Sequence, residues 1–462
     1  MSDTVDIISP VDGRVYASRA VATDAEVEAA LGRARAAQAE WRGVTIAERG
    51  RHMLAMLDAL LAMKDGIVTE LAWQMGRPVR YGGEFGGVEE RLRWCVDNAE
   101  AALAPIEATD RPGFRRYIRR EPAGLVLVIA PWNYPYLTAI NTIVPALLAG
   151  SAVMLKHASQ TLLVGERFQT AFDRADLPAG LFQNLVLGHG QTERLLAAGL
   201  VDHVNFTGSV EGGRRIERAA AGTFTTMGLE LGGKDPAYVR ADAKLDHAVE
   251  NLVDGAFYNS GQCCCGIERI YVDAGVYDDF VEAFVDLAGE YVLGDPLDEA
   301  TTLGPMARAS GADFVRGQIE AALRAGASAR IDTARFARDV RASPYCAPQV
   351  LTGVNHQMSV MREESFGPVV GIMQVAGAQE AIALMNDSPY GLTASIWTRD
   401  TDAAAAIGDR IQTGTVFMNR CDYLDPALAW TGVKDTGRGA SLSRIGFEML
   451  TRPKSYHLRE AI

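Results

Sequence analysis

The sequence predicts an α/β protein made of two doubly wound α/β units and a small added β arm. Three observations carry that prediction. From Gly124 onward, short apolar runs alternate with helical segments, as in a βαβ series around a parallel sheet. A second series of the same kind follows the run Asn259-Ser260-Gly261-Gln262-Cys263-Cys264-Cys265-Gly266. Two polar, extended segments, 114–121 and 453–459, belong to neither unit and can pair as an arm.

In chain order, the first hundred residues read as helices. Thr23-Asp24-Ala25-Glu26 and Thr45-Ile46-Ala47-Glu48 both fit the capping box that opens a helix. Met53, Leu57, Leu60 and Leu61 then form a helical apolar stripe suited to covering a sheet. Buried strands are expected at 124–130, 152–156, 183–187, 202–206 and 225–231, with helices between them. After the cysteines, strands are expected at 268–272, 368–375, 392–398 and 414–419, separated by helices at 277–291, 311–325 and 401–412. Two such units commonly enclose a ligand cleft.

Composition narrows the function. The 462 residues are 48% hydrophobic and 22% charged, an ordinary globular balance. A net charge of −13 without a long basic run argues against nucleic acid and anionic membrane as partners. No uninterrupted apolar stretch reaches the ~18 residues of a membrane span; residues 142–155 come nearest but carry Pro145 and Gly150. Met1-Ser2-Asp3-Thr4-Val5-Asp6 has no secretory pattern, and unpaired cysteines suit a reducing compartment, so a cytoplasmic location is expected.

Half of the six cysteines sit in the triplet Cys263-Cys264-Cys265. Neither Cys95, Cys346, Cys421 nor any histidine supplies the paired spacing of a structural zinc site, so no metal is expected. The remaining readings are small buried hydrophobes or a nucleophile. Gly188-His189-Gly190-Gln191-Thr192-Glu193 has Glu193 where a G-x-G-x-x-G dinucleotide fingerprint needs its third glycine. It remains a loop whose backbone could approach a phosphate near a helix start.

Six further motifs carry a resemblance. Pro131-Trp132-Asn133-Tyr134-Pro135, Phe206-Thr207-Gly208-Ser209, Glu230-Leu231-Gly232-Gly233-Lys234, Gly261-Gln262-Cys263-Cys264, Glu363-Glu364-Ser365-Phe366-Gly367-Pro368 and Gly414-Thr415-Val416-Phe417-Met418-Asn419 follow in order. Together they resemble the signatures of the aldehyde dehydrogenase superfamily over nearly the whole chain. The resemblance implies an NAD(P)-binding domain at 1–104 and 123–232, a catalytic domain at 233–438, and an oligomerisation arm at 105–122 and 439–462. It also implies a homodimer or homotetramer.

The same resemblance assigns roles. Cys264 is the nucleophile that makes a thiohemiacetal and then a thioester, and the Asn133 amide with the Cys264 N–H holds the oxyanion. Glu230 activates the deacylating water. Lys156 belongs to both the catalytic and the cofactor sets, contacting the adenosine ribose. Trp132, Ser159, Gly190, Gly208, Ser209, Gly213, Leu231, Glu364 and Phe366 complete the cofactor set. Tyr134, Thr138, Cys263, Cys265, Leu424 and Trp430 line the substrate tunnel, with Asn141 near them. Ser159 stands where many NAD-preferring members have glutamate, which removes repulsion of a 2′-phosphate, so the cofactor is NAD+ or NADP+. Arg444 replaces a glutamate linked to proton movement in some members, and Arg420 or Arg444 could meet a substrate carboxylate, as in a succinate-semialdehyde-type dehydrogenase.

Three other readings compete with an NAD(P)-dependent aldehyde dehydrogenase. A cysteine hydrolase would need a histidine beside the thiol, and His247 is nearest in sequence. A coenzyme-A-dependent reductase would usually lack the glutamate found at 230. A catalytically silent binding or structural protein is disfavoured by the joint presence of Asn133, Glu230 and Cys264.

Overall fold

The computed structural model describes residues 3–460. A six-stranded sheet holds Leu125–Ala130, Ala152–His157, Phe182–Asn184, His203–Thr207 and Thr226–Glu230 as parallel neighbours. Its edge is completed by Gly437–Arg438, antiparallel, with Gly437 opposite Glu230. A seven-stranded sheet contains Asp235–Val239, Ile267–Asp273, Gln349–Thr352, Val369–Val375, Thr393–Trp397 and Thr415–Met418, all parallel, plus the antiparallel edge strand Ser328–Ala329. Phe114–Pro122 pairs antiparallel with Thr451–Arg459 and with Ile106–Glu107 as a separate three-stranded sheet. A hairpin of Thr4–Ile8 and Val15–Ala20 precedes the first helix.

Four helices, α1 (Asp24–Trp41), α2 (Ile46–Leu61), α3 (Lys64–Met75) and α4 (Phe85–Leu103), fill the N-terminal part. Thr23 closes both halves of its capping box with Glu26. Thr45 closes only one: its hydroxyl accepts from the Glu48 N–H at 3.2 Å, while the Glu48 carboxylate lies 3.7 Å from Arg51. Met53, Leu57 and Leu60 are fully buried and join one core with the strand residues Val126, Leu127 and Val153. Replacing such a leucine by alanine costs about 2–5 kcal/mol.

The apolar stretch 142–155 is no single span. Helix α5 (Pro135–Ala149) ends at Gly150, whose φ of 99° is left-handed, and the chain then enters Ala152–His157. No helix among the described residues is long and apolar enough to cross a membrane.

Two parallel strands of the second sheet were not anticipated. Asp235–Val239 begins Asp-Pro, which reads as a turn, yet the buried Asp235 carboxylate is held by the Thr393 hydroxyl at 2.6 Å and its N–H at 3.1 Å. Gln349–Thr352 is too short to show a period. The strand expected at 183–187 is shorter, at Phe182–Asn184. Gly437–Arg438 falls at the end of the expected second unit but adds to the first sheet.

Candidate active site

The carboxyl ends of parallel strands gather the chemistry, which is where ligands bind in open α/β sheets. Leu125–Ala130 leads to Trp132 and Asn133, Ala152–His157 carries Lys156, His203–Thr207 leads to Gly208 and Ser209, and Thr226–Glu230 ends on Glu230. From the second sheet come Cys264, just before Ile267–Asp273, and Glu364 and Phe366, just before Val369–Val375. All nine of these residues line one cavity of about 700 Å³, together with Ser159, Leu231 and Thr138.

Three consecutive left-handed residues aim the thiols. Asn259, Ser260 and Gly261 have φ of 54°, 57° and 69°, and a Cβ on Gly261 would strike the Gly367 backbone. Such conformations cost energy for residues other than glycine and persist only where their surroundings enforce them. Here the buried Asn259 amide donates to the carbonyls of Asn133 and Gln262, each at 3.2 Å. Arg77 donates to the Asn259 side-chain oxygen at 3.3 Å and also to the Asn133 carbonyl. Its charge is balanced by Glu84 at 2.6 Å, and its guanidinium lies 4.9 Å from the Tyr134 ring centroid. The other Glu84 oxygen accepts from the N–H groups of Tyr136 (3.0 Å) and Leu137 (2.7 Å), where α5 begins. One buried network therefore ties the Asn133 loop to the cysteine loop.

Cys264 is half-buried and faces the cavity, with Cys263 and Cys265 buried behind it. No acceptor among the described residues takes the Cys264 backbone N–H. The Asn133 amide, 5% exposed, donates to the Gln262 carbonyl at 3.2 Å. The three thiols titrate as a group: hydrogen bonds from Cys264 and Cys265 favour a thiolate at Cys263, and each raises the cost of a second ionisation. Burial pushes the Glu230 carboxyl up, against the pull of the Ser441 hydroxyl, the Arg91 charge and the Thr207 hydroxyl.

The residues fit a dinucleotide. Helix α6 (Val210–Ala220) opens at Ser209, whose hydroxyl accepts from the Gly212 N–H at 3.2 Å, and its positive end faces the cavity beside Gly208. Lys156 is buried, and among the described residues no carboxylate pairs with its ammonium. The Trp132 and Phe366 rings meet edge-on at 5.6 Å. Phe366 holds a left-handed φ of 50°, and Glu268 fixes that turn by accepting from the N–H groups of Ser365 (2.8 Å) and Phe366 (3.0 Å). Lys234 neutralises Glu268 and donates to Ser365 at 2.9 Å. Glu364 accepts from the Gly233 N–H at 3.0 Å, and burial pushes its carboxyl up to about 8.

An aldehyde dehydrogenase family model matches residues 1–456 of this geometry's sequence. The chain belongs to the aldehyde dehydrogenase family. It is 35% identical over 442 residues to a succinate-semialdehyde dehydrogenase [NADP(+)] 1 of Mycobacterium tuberculosis, covering 95% of this chain and 96% of that one. An NAD-dependent aldehyde dehydrogenase from Sinorhizobium meliloti superposes with a TM-score of 0.94 at 32% identity, covering 100% of this chain and 92% of that one. A succinic semialdehyde dehydrogenase from Streptococcus pyogenes, solved with NADP+, superposes with a TM-score of 0.93 at 28% identity, covering 98% and 100%. The protein is thus an NAD(P)-dependent aldehyde dehydrogenase, an oxidoreductase using NAD+ or NADP+. These relatives are enzymes, which gives no support to the silent reading.

Not every expected site residue meets at the aldehyde dehydrogenase cavity. Tyr134, Cys263, Cys265, Leu424 and Trp430 pack beside it with Cys264, Leu392 and Leu442 as one apolar cluster. Gly190 lines an adjoining, more open groove with Arg194, Arg215 and Arg218, which shares Glu193 and Arg215 with the cavity. Gly213 is a packing glycine: a Cβ there would lie 2.6 Å from Leu231. Arg444 is exposed and lies 3.4 Å from Glu448, while Arg420 stacks on Tyr423 at 3.8 Å, so neither enters the cluster. His247 bonds to the Asn419 carbonyl at 2.9 Å, not to a thiol, so the hydrolase reading has no base. Sequence reasoning missed Arg77, Glu84, Asn259, Lys234 and Glu268; only Lys234 and Asn259, beside recognised motifs, carried a usable signal.

Proposed function

We propose that this enzyme oxidises aldehydes to carboxylic acids in two stages, with Cys264 as nucleophile and Glu230 as base. The observation that carries the reading is the meeting of Cys264, Glu230 and Asn133 on one cavity. The Cys264 thiolate adds to the aldehyde carbon, and the Asn133 amide with the Cys264 N–H holds the oxyanion. Bound NAD+ or NADP+ supplies the hydride acceptor. The acyl group then stays on Cys264 as a thioester. Glu230 takes a proton from water, the hydroxide attacks the acyl carbon, and the acid departs as the thiolate re-forms.

In this reading Lys156 and Glu364 hold the two riboses, Gly208 and Ser209 receive the pyrophosphate, and Trp132, Leu231 and Phe366 pack near the nicotinamide side. Ser159 on the cavity wall supports acceptance of a 2′-phosphate, so NADP+ is accepted beside NAD+. The domains are those given by the two sheets, with 105–122 and 439–462 as the arm. Thr451–Arg459 lies at an edge of its sheet, which supports a homodimer or homotetramer joined there. A reducing cytoplasm suits the six free cysteines.

The substrate class has two candidates. The apolar walls contributed by Tyr134, Leu424 and Trp430 favour an alkyl or aryl aldehyde. The named activity of the mycobacterial and streptococcal relatives favours a semialdehyde. Nicotinamide reduction with both cofactors and both substrate classes decides between them. Loss of about 10³-fold or more in Cys264→Ala is expected; a mutant as active as the parent overturns the mechanism. If Arg420→Ala and Arg444→Ala slow semialdehyde and alkyl aldehyde equally, those arginines do not read a carboxylate.

A further inference from the structure

Asn141 is not free to choose which way its amide faces. Arg91, on α4, carries only donors. Its guanidinium donates to the Asn141 side-chain oxygen on α5 at 3.1 Å and to the Leu137 carbonyl at 3.1 Å. The Asn141 NH₂ group therefore points the other way, where it meets no acceptor. The Ser441 hydroxyl is also without a partner. Both side chains are 4% exposed, and unbonded polar atoms at such depth are rare and costly.

These two orphans line one recess of about 10 Å³, with Thr142, His203, Asn205 and Gly228 among its other walls. That is about the room one water needs, and a buried water asks for roughly two to four polar neighbours, which this recess supplies. The recess shares no lining residue with the cofactor cavity. Gly228 stands two residues before Glu230 on the same strand, and Ser441 follows Gly437–Arg438, the strand that sets Gly437 opposite Glu230. From there the Ser441 hydroxyl pulls on the Glu230 carboxyl without closing a direct hydrogen bond.

We infer that this recess holds one structural water, and that Arg91, Asn141, the water and Ser441 form a line of donors that steadies the Glu230 carboxylate. Asn141 donates to the water, the water donates to the Ser441 oxygen, and the Ser441 proton is left to face Glu230. The Thr207 hydroxyl also reaches the base, and Cys264 and Lys156 share the cavity with it. His203, pushed down to about 4 by burial, is neutral at neutral pH and bonds to the Thr226 hydroxyl at 2.8 Å, so Arg91 supplies the charge in this line. Ser441 and Asn141 act through Glu230, as positioning residues. That role rests on Glu230 being the base; the water site does not.

A high-resolution crystal structure of the full-length enzyme should show water density bonded to the Asn141 Nδ2 and the Ser441 Oγ. In Ser441→Ala, deacylation should slow about 10–100-fold while the first burst of nicotinamide reduction stays as in the parent. The acid limb of kcat should move to higher pH, because a carboxylate that loses a donor is protonated sooner. Arg91→Met should move that limb in the same direction. Circular dichroism checks that each variant is folded; the density in the parent enzyme decides on the site even if one is not. A recess without water density, an acid limb that Ser441→Ala leaves in place, or burst and deacylation falling together overturns the proposal. Loss of the burst in Glu230→Gln is a different failure: it takes Glu230 out of deacylation and overturns the role, while the density still decides on the water.

Discussion

In the proposed mechanism Cys264 and Glu230 divide the reaction between a soft nucleophile and a buried base, so the second can be disabled while the first still turns over once. Burial lifts the Glu230 carboxyl above the ordinary 4.5, so acidification removes its base form sooner than that of an exposed glutamate. The acid limb of kcat is expected at an apparent pKa above 4.5. In Glu230→Gln, deacylation should slow about 10²–10⁴-fold while stopped-flow still records a first burst of nicotinamide reduction. A lost burst would assign Glu230 to the earlier step. Glu364 gives a second pH signature. Its carboxyl is pushed up to about 8, chiefly by burial and then by the Glu268 charge, so the accepting carboxylate prevails only above that pH. Dinucleotide affinity, followed by fluorescence titration, should rise as pH climbs through about 8. Glu364→Gln should flatten that rise; an unchanged slope would separate Glu364 from the ribose.

Loop geometry connects these side chains, and its cause lies far away in the chain. Arg77 follows α3 and is seven positions from Glu84 but 182 from Asn259. Removing it strands a buried carboxylate, so Arg77→Met should lose about 3–5 kcal/mol in denaturant unfolding. Adding Glu84→Gln should restore part of that stability but little of kcat, because the Asn133 carbonyl still lacks one of its two donors. Recovery of both together would mean that the pair acts on stability alone. This network marks the limit of what the sequence discloses. Cys264, Glu230 and Asn133 sit inside short motifs, so their meeting on one cavity could be expected from the sequence, as could most of the strands that carry them. Arg77 and Glu84 drew no expectation, since a contact spanning 182 positions leaves no local pattern. Gly213 shows what a motif leaves out: its closeness to Leu231 comes from packing between a helix and a strand end, which no local pattern discloses. The strand at Asp235-Pro236 escaped notice because the partner of Asp235, Thr393, is 158 residues distant.

Across the whole molecule, the cavity draws Asn133, Lys156 and Glu230 from one sheet and Cys264, Glu364 and Phe366 from the flank of the other. A site assembled across two sheets is disturbed by small relative shifts that leave each sheet intact. Heat inactivation should therefore precede the loss of far-ultraviolet circular dichroism by several degrees; coincident transitions would mean the sheets separate only on global unfolding. The strand Gly437–Arg438 adds an order in time. It is the last piece of the sheet edge beside Glu230, although it is made some 200 residues later (437 − 230 = 207). On the ribosome, the base-bearing strand must wait with a bare flank until nearly all the chain has emerged, and a prematurely terminated chain carries its reactive sulfurs without a finished base.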